Sequence, residues 1–181
     1  MNAEKDSASP HLEPVVSESE IADAVSRLAG EIERDYEGKS LVMVGVLKGS
    51  FVFLADLMRR LSVDVTNVEF VRASSYGAGR ESSGEVTLDS DLSVDAVTGK
   101  HVLLVEDILD TGLTTLAVVE HLRELRAASV RVCALLDKPE RRRAAIAADY
   151  VGFTIGNRFV VGYGLDANQR YRNLPAIYIL R

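Results

Sequence analysis

Residues 102–115 constrain this chain more than any other stretch: Val-Leu-Leu-Val-Glu-Asp-Ile-Leu-Asp-Thr-Gly-Leu-Thr-Thr. Four apolar residues with no polar break read as a strand buried on both faces, the kind found in parallel sheets covered by helices. The run ends in two adjacent carboxylates, Glu106 and Asp107, with Asp110 close behind. A helical period follows over residues 113–126, with Leu116, Val119 and Leu122 facing a core and Leu125 near that face.

The same grammar recurs along the chain. Residues 1–15 are polar, contain Pro10 and Pro14, and read as a flexible N-terminal extension. Ser17 and Glu20 form a capping-box signature, and Ile21, Val25, Leu28 and Ile32 then share a helical face. Residues 41–47 and 130–136 are apolar runs expected to be buried strands. Between them Phe51, Leu54, Leu57, Met58 and Leu61 keep helical spacing, and residues 63–73 read as a long β-branched strand. Residues 74–84 are rich in Gly and Ser and read as a mobile loop, 86–88 as a short strand, and 89–100 as a turn-rich connection. Residues 150–153, 159–161 and 176–180 are expected to be further short strands. Strands alternating with helices predict an α/β fold with a mainly parallel central sheet, one domain over residues 16–181.

Charge and composition exclude some functions. The formal net charge of -6 argues against a nucleic-acid surface, which needs a basic face. No run reaches the ~18 apolar residues of a membrane span, and the N-terminus lacks a signal-peptide core. A cytoplasmic chain with no membrane partner is expected. The single cysteine, Cys133, lies inside an apolar run and reads as a buried structural thiol.

In parallel sheets ligands gather at the carboxyl ends of the strands. Lys48, Glu106, Asp107 and Lys138 each follow an apolar strand, so chain order places them on one rim. Glu106 and Asp107 should diverge on extended backbone and together can grip two ribose hydroxyls, directly or through Mg²⁺, an ion suited to oxygen ligands. Solvated acids at a strand end are the plain alternative. Residues 111–115 offer hydroxyls and free N–H groups at a helix start, where the dipole favours a phosphate. N-capping by Thr111 is compatible with that. The stretch lacks the Gly-Lys-Ser/Thr ending of a triphosphatase loop, and no Gly-x-Gly-x-x-Gly follows a strand.

Glu106 to Thr114 (Glu-Asp-Ile-Leu-Asp-Thr-Gly-Leu-Thr) resembles the phosphoribosyl-diphosphate signature of the type I phosphoribosyltransferases. Three more stretches resemble the hypoxanthine-guanine branch: Leu47-Lys48-Gly49-Ser50, Asp137-Lys138-Pro139, and the run from Phe159 to Asp166 with Tyr171-Arg172-Asn173-Leu174. The likeness covers the chain from about residue 16 to the end. It implies that family's fold, with a small hood formed by the chain ends, and a Mg²⁺-dependent transfer of phosphoribosyl from phosphoribosyl diphosphate to hypoxanthine or guanine, releasing pyrophosphate.

The resemblance also implies roles. Glu106 and Asp107 would hold the ribose hydroxyls and Mg²⁺, and Asp166 would contact a second Mg²⁺ through water or the base-edge side of the site. Asp110, Thr111, Gly112, Leu113, Thr114 and Thr115 would cradle the 5′-phosphate, and Asp110 would face the purine N7 as proton acceptor or donor. Lys48 and Gly49 would sit beside the pyrophosphate, with a peptide before Lys48 that is often cis in the family, and Arg172 would bind it too. Lys138 would donate to the purine O6. An ammonium has only donors, so it favours a 6-oxo over a 6-amino base. Phe159 would stack on the base, Val160 would offer backbone groups to its edge, and Ser75-Tyr76 would close over the reacting centre. The residue types leave plain alternatives open: a core Phe159, a solvated Lys138, a surface ion pair for Arg172. Ala167 and Leu113 depart from the aromatic residue and the lysine found in relatives. Arg141-Arg142-Arg143 reads as a solvated helix face. A homodimer or homotetramer is the family's expectation. The rivals are a regulatory protein that kept the site without catalysis, and a transferase for xanthine or a pyrimidine.

Overall fold

The computed structural model describes residues 11–75, 86–89 and 92–181. In chain order the elements are β1 (Leu12–Val16), α1 (Glu18–Asp35), β2 (Leu41–Leu47), α2 (Phe51–Met58), β3 (Val65–Ser75), β4 (Val86–Asp89), α3 (Val94–Val97), β5 (His101–Leu109), α4 (Leu113–Glu124), β6 (Ser129–Asp137), β7 (Tyr150–Thr154), β8 (Val160–Val161) and β9 (Ile177–Leu180). Six strands form one sheet in the order β4-β3-β2-β5-β6-β7. The pairs β2–β3, β2–β5, β5–β6 and β6–β7 are parallel, and only β4 runs antiparallel to its neighbour.

The apolar runs explain the layering. β2 and β5 are buried almost end to end, so each needs a cover on both faces. One cluster joins Leu28 and Ile32 of α1 and Phe53 and Leu57 of α2 to Met43, Leu103 and Leu135. The other packs Val118, Val119 and Leu122 of α4 against Val42, Val44, Val102 and Leu104. Alternate residues of each strand thus serve opposite layers. Ser17 caps α1 as its sequence indicates: its hydroxyl accepts from Glu20 N–H, and the Glu20 carboxylate accepts from Ser17 N–H at 2.8 Å.

Several expectations need correction. The flexible stretch was expected to run to residue 15, but residues 12–15 belong to β1, which pairs antiparallel with β9 and leads to the buried Val16. Pro14 is tolerated because β1 is the edge of a three-stranded sheet, β1-β9-β8, which is the hood made by the chain ends. Residues 1–10 and 76–85 lie outside the described part, and with them Tyr76. In α2, Phe53 is buried and Phe51 exposed. Four consecutive apolar residues at its start gave no period to choose between them. In α4 the buried positions are Thr115, Val118, Val119 and Leu122, with Leu116 only half-buried. The connection over residues 89–100 contains the single turn α3. Residues 139–141 form one 3₁₀ turn, not a helix face.

Candidate active site

β5 does not end at its apolar run. It continues through the carboxylates to Leu109, so Glu106 and Asp107 are strand residues on opposite faces. Glu106 points into the structure and is only 4% exposed. Its Oε1 accepts from the Thr115 hydroxyl at 3.0 Å, which ties β5 to the first turn of α4. Burial, reinforced by the neighbouring Asp107, pushes its carboxyl up to about 8. Asp107 faces the rim, where burial raises its carboxyl to about 6 against the pull of its own N–H and that of Ile108. Arg172 lowers it and Asp166 raises it, so these three charges share one field.

Asp107 lies against the loop after β2. A Cβ built on Gly49 would stand 1.6 Å from Asp107 Oδ2, and one on Gly164 would stand 2.2 Å from the Gly49 carbonyl. Three distant segments therefore meet closely, the Gly49 backbone against the Asp107 carboxylate and against the Gly164 backbone, and glycine is what admits both contacts. The Leu47–Lys48 peptide is cis, in accord with the resemblance. Lys48 is exposed on this loop, and its Nζ lies 3.3 Å from Gln169 Oε1. Asp166 pairs with Arg172 at 2.6 Å, and Arg172 also donates to the Gly164 carbonyl at 2.6 Å.

The turn between β5 and α4 is held from the far side. Gly112 has φ +79, a left-handed conformation that suits glycine. Arg142 donates to the carbonyls of Leu109 at 3.2 Å, Asp110 at 3.1 Å and Ile146 at 2.8 Å, and pairs with Asp137. The N–H groups of Arg143 and Ala144 both donate to the Thr111 carbonyl, at 2.9 and 3.1 Å. Arg142 is thus a staple for the turn, not a solvated residue. The first intrahelical bond of α4 runs from Leu116 N–H to Gly112, so the N–H groups of Leu113, Thr114 and Thr115 precede it. Leu113 N–H makes only a long bond to the Thr111 hydroxyl at 3.5 Å, and these N–H groups of a helix start are fit for an anion. The Thr115 hydroxyl is directed to Glu106, which leaves Thr115 its N–H for such a ligand.

Asp110 turns away from that cradle. Its Oδ1 accepts from Arg141 Nε at 2.8 Å, and its Oδ2 lies 3.9 Å from Lys138 Nζ. Lys138, at the end of β6, is only 6% exposed, a rare state for lysine. Burial lowers the pKa of its ammonium; Asp110 opposes that shift and Arg141 adds to it. Its Nζ donates to the Arg158 carbonyl at 2.7 Å, which holds the residue preceding Phe159. Phe159 is 58% exposed, whereas Val160 beside it is buried. The exposed Phe159 ring therefore follows directly on the carbonyl that holds the buried Lys138 ammonium and is not part of the core. Ser75 ends β3.

Most expected residues therefore fall into two adjoining groups. Lys48, Gly49, Asp107, Asp166 and Arg172 surround one locus, while Asp110, Lys138 and Phe159 edge another. Residues 111–115 continue from both along the turn into α4. A separate cavity of about 800 Å³ opens between α1, α2 and the segment around Leu174. It shares Arg172 with the rim but none of the carboxylates Glu106, Asp107 or Asp110, so its size does not make it the reaction centre. Sequence reasoning missed Arg141, Arg142 and Gln169. Their partners lie on other segments, and no local pattern signals such contacts.

The Phosphoribosyl transferase domain matches residues 13–168. The chain is 46% identical over 167 residues to a protein of Streptococcus pneumoniae named hypoxanthine-guanine phosphoribosyltransferase, covering 92% of each. The chain belongs to the hypoxanthine-guanine phosphoribosyltransferase family. A Staphylococcus aureus member of that name is 44% identical over 169 residues, covering 93% of each. The crystal structure of a Bacillus anthracis hypoxanthine-guanine phosphoribosyltransferase superposes with a TM-score of 0.88 at 43% identity, covering 96% of this chain and all of that one. This hypoxanthine-guanine phosphoribosyltransferase family member thus has the type I fold over nearly its whole length, hood included.

Proposed function

We propose that this chain is a purine-salvage transferase. It moves the 5-phosphoribosyl group of phosphoribosyl diphosphate onto N9 of hypoxanthine or guanine and releases pyrophosphate. The observation that carries this reading is the buried Lys138 ammonium, 3.9 Å from Asp110 and bonded behind the exposed Phe159. A base stacked on Phe159 presents its edge to these two groups. Lys138 donates to a 6-oxo group and finds no acceptor on a 6-amino one. A mismatch of that kind leaves buried polar groups unpaired and is strongly rejected.

The remaining roles follow from placement. The N–H groups of residues 111–115 and the hydroxyls of Thr111 and Thr114 receive the 5′-phosphate, with Leu113 contributing its backbone. Glu106 and Asp107 hold the ribose, and Lys48, Gly49 and Arg172 receive the diphosphate. Val160 offers its backbone to the base edge, and Ser75 with Tyr76 covers the reacting centre. As the C1′–oxygen bond to pyrophosphate breaks and the N9–C1′ bond forms, Asp110 accepts the N7 proton. Arg141 holds Oδ1 of that carboxylate and leaves Oδ2 toward the base side. Most of the acceleration comes from holding the two reactants in line.

The donor set also fits Mg²⁺. No group of three or more metal-ligating side chains occurs among the described residues. Mg²⁺ does not require one, because it usually takes one or two carboxylates together with substrate oxygens and water. Asp107 would supply a carboxylate at the rim, and Asp166 would join through the group that now pairs with Arg172; Glu106, on the opposite face of β5 and held by Thr115, would have to turn to take part. When bound, the ion would neutralise charge on the diphosphate leaving group.

A cytoplasmic location and a homodimer or homotetramer complete the proposal, and light scattering in solution tests the assembly. No described helix is long and apolar enough to cross a membrane. The functional reading is tested by competition among hypoxanthine, guanine, xanthine and uracil for limiting phosphoribosyl diphosphate. Hypoxanthine and guanine should consume it, and preferential use of xanthine or uracil would overturn the assignment of the base.

A further inference from the structure

Gln169 has no role in the reading above, yet the fold goes to some length to place it. Asn168, Gln169 and Tyr171 have φ of 51, 65 and 75, so three non-glycine residues in four adopt the left-handed region. Such conformations cost energy and persist only where the surroundings impose them. Here they do. Asp166 Oδ2 accepts from Gln169 N–H at 2.7 Å, and Ala167 and Arg170 exchange backbone bonds of 3.2 and 3.0 Å across the turn. The result is a single side-chain oxygen, Gln169 Oε1, that lies 3.3 Å from Lys48 Nζ and 3.4 Å from Arg172 Nη2.

Those two cations come from opposite ends of the chain and would repel at this spacing without an acceptor between them. We propose that Gln169 is a positioning residue for the diphosphate: its amide oxygen holds Lys48 and Arg172 converged on the place a diphosphate oxygen will take. This rests on the reading of Lys48 and Arg172 as diphosphate-binding groups. The geometry suits a temporary partner. Both bonds sit at the long end of the hydrogen-bond range, so they are weak and easily exchanged for contacts with an anion. Asp166 already pairs with Arg172, so Lys48 is the cation whose direction depends most on the Gln169 oxygen.

The experiment compares wild type, Gln169→Met, Gln169→Glu and Lys48→Met. It reads pyrophosphate Kd by calorimetry, KM for phosphoribosyl diphosphate, KM for hypoxanthine, kcat and melting temperature. Gln169→Met keeps the length of the side chain without an acceptor. It should raise pyrophosphate Kd and KM for phosphoribosyl diphosphate by about threefold to tenfold. Its kcat, KM for hypoxanthine and melting temperature should stay at wild-type values. Gln169→Glu keeps the acceptor but adds a negative charge beside the diphosphate, so it should weaken pyrophosphate binding at least as much as Gln169→Met. Unchanged diphosphate affinity in Gln169→Met, or wild-type affinity in Gln169→Glu, overturns the inference. If Lys48→Met weakens pyrophosphate binding while Gln169→Met does not, the inference fails and the site reading stands. If wild type binds no pyrophosphate, or Lys48→Met leaves binding intact, both fail.

Discussion

Asp110 shows how one side chain serves chemistry and structure at different cost. Its contact with Arg141 is solvent-accessible, and exposed ion pairs contribute about 0–1 kcal/mol to stability. Asp110→Asn should therefore leave the melting temperature nearly unchanged. Its amide cannot take the N7 proton, so turnover should fall at least tenfold, about 1.4 kcal/mol of barrier. Single-turnover kinetics check this, and unchanged turnover removes Asp110 from the proton transfer. The importance of Asp110 was legible only through the resemblance of residues 106–114 to the family's phosphoribosyl-diphosphate signature. Its partner Arg141 was not. Arginines at 141–143 look alike in sequence, yet the structure separates them: one holds Asp110, one staples the turn through Leu109, Asp110, Asp137 and Ile146, and one is exposed.

At the scale of elements, the loop between β2 and α2 is fixed by what it touches. Gly49→Ala would place a methyl group 1.6 Å from Asp107 Oδ2, inside any tolerable contact. Either the loop or the carboxylate must move. KM for phosphoribosyl diphosphate should rise more than tenfold, about 1.4 kcal/mol or more of lost binding, while KM for hypoxanthine changes little. Equal loss for both substrates would show a general collapse of the rim. Strands β2, β5 and β6 were readable because residues buried on both faces leave unbroken apolar runs. α2 was readable as a helix but not in its facing, since Phe51, Val52, Phe53 and Leu54 are all apolar. β1 was missed for the opposite reason: Leu12, Val15 and Val16 are interrupted by Glu13 and Pro14, and only pairing with β9 makes them a strand. Gly49 packs against the Asp107 carboxylate and the Gly164 backbone, a convergence of three segments that no local pattern encodes.

For the whole molecule, the acidic rim makes stability depend on pH in a definite direction. Glu106 is raised from an ordinary 4.5 to about 8 and Asp107 from 3.8 to about 6, both chiefly by burial. Between the ordinary and raised values the folded chain keeps protons that the unfolded chain has released, so stability falls as pH rises through that window. Below it the sign reverses. Glu20, Glu33 and Asp35 are held under their usual range by hydrogen bonds from Ser17, Ser62 and Tyr150, and that stability disappears as pH falls. The ligand-free, metal-free protein should melt highest near about pH 5 and lower by pH 8.5. Glu106→Gln should flatten most of the alkaline decline, and a melting temperature that climbs from pH 5 to 8.5 would refute the burial argument. The most direct measurement is a product assay: chromatographic detection of IMP and pyrophosphate from hypoxanthine, phosphoribosyl diphosphate and Mg²⁺. The two products should appear in equal amounts, none with adenine, and both should be lost when a chelator removes the metal. No IMP from hypoxanthine, or adenine consumed as readily, would contradict the proposed function.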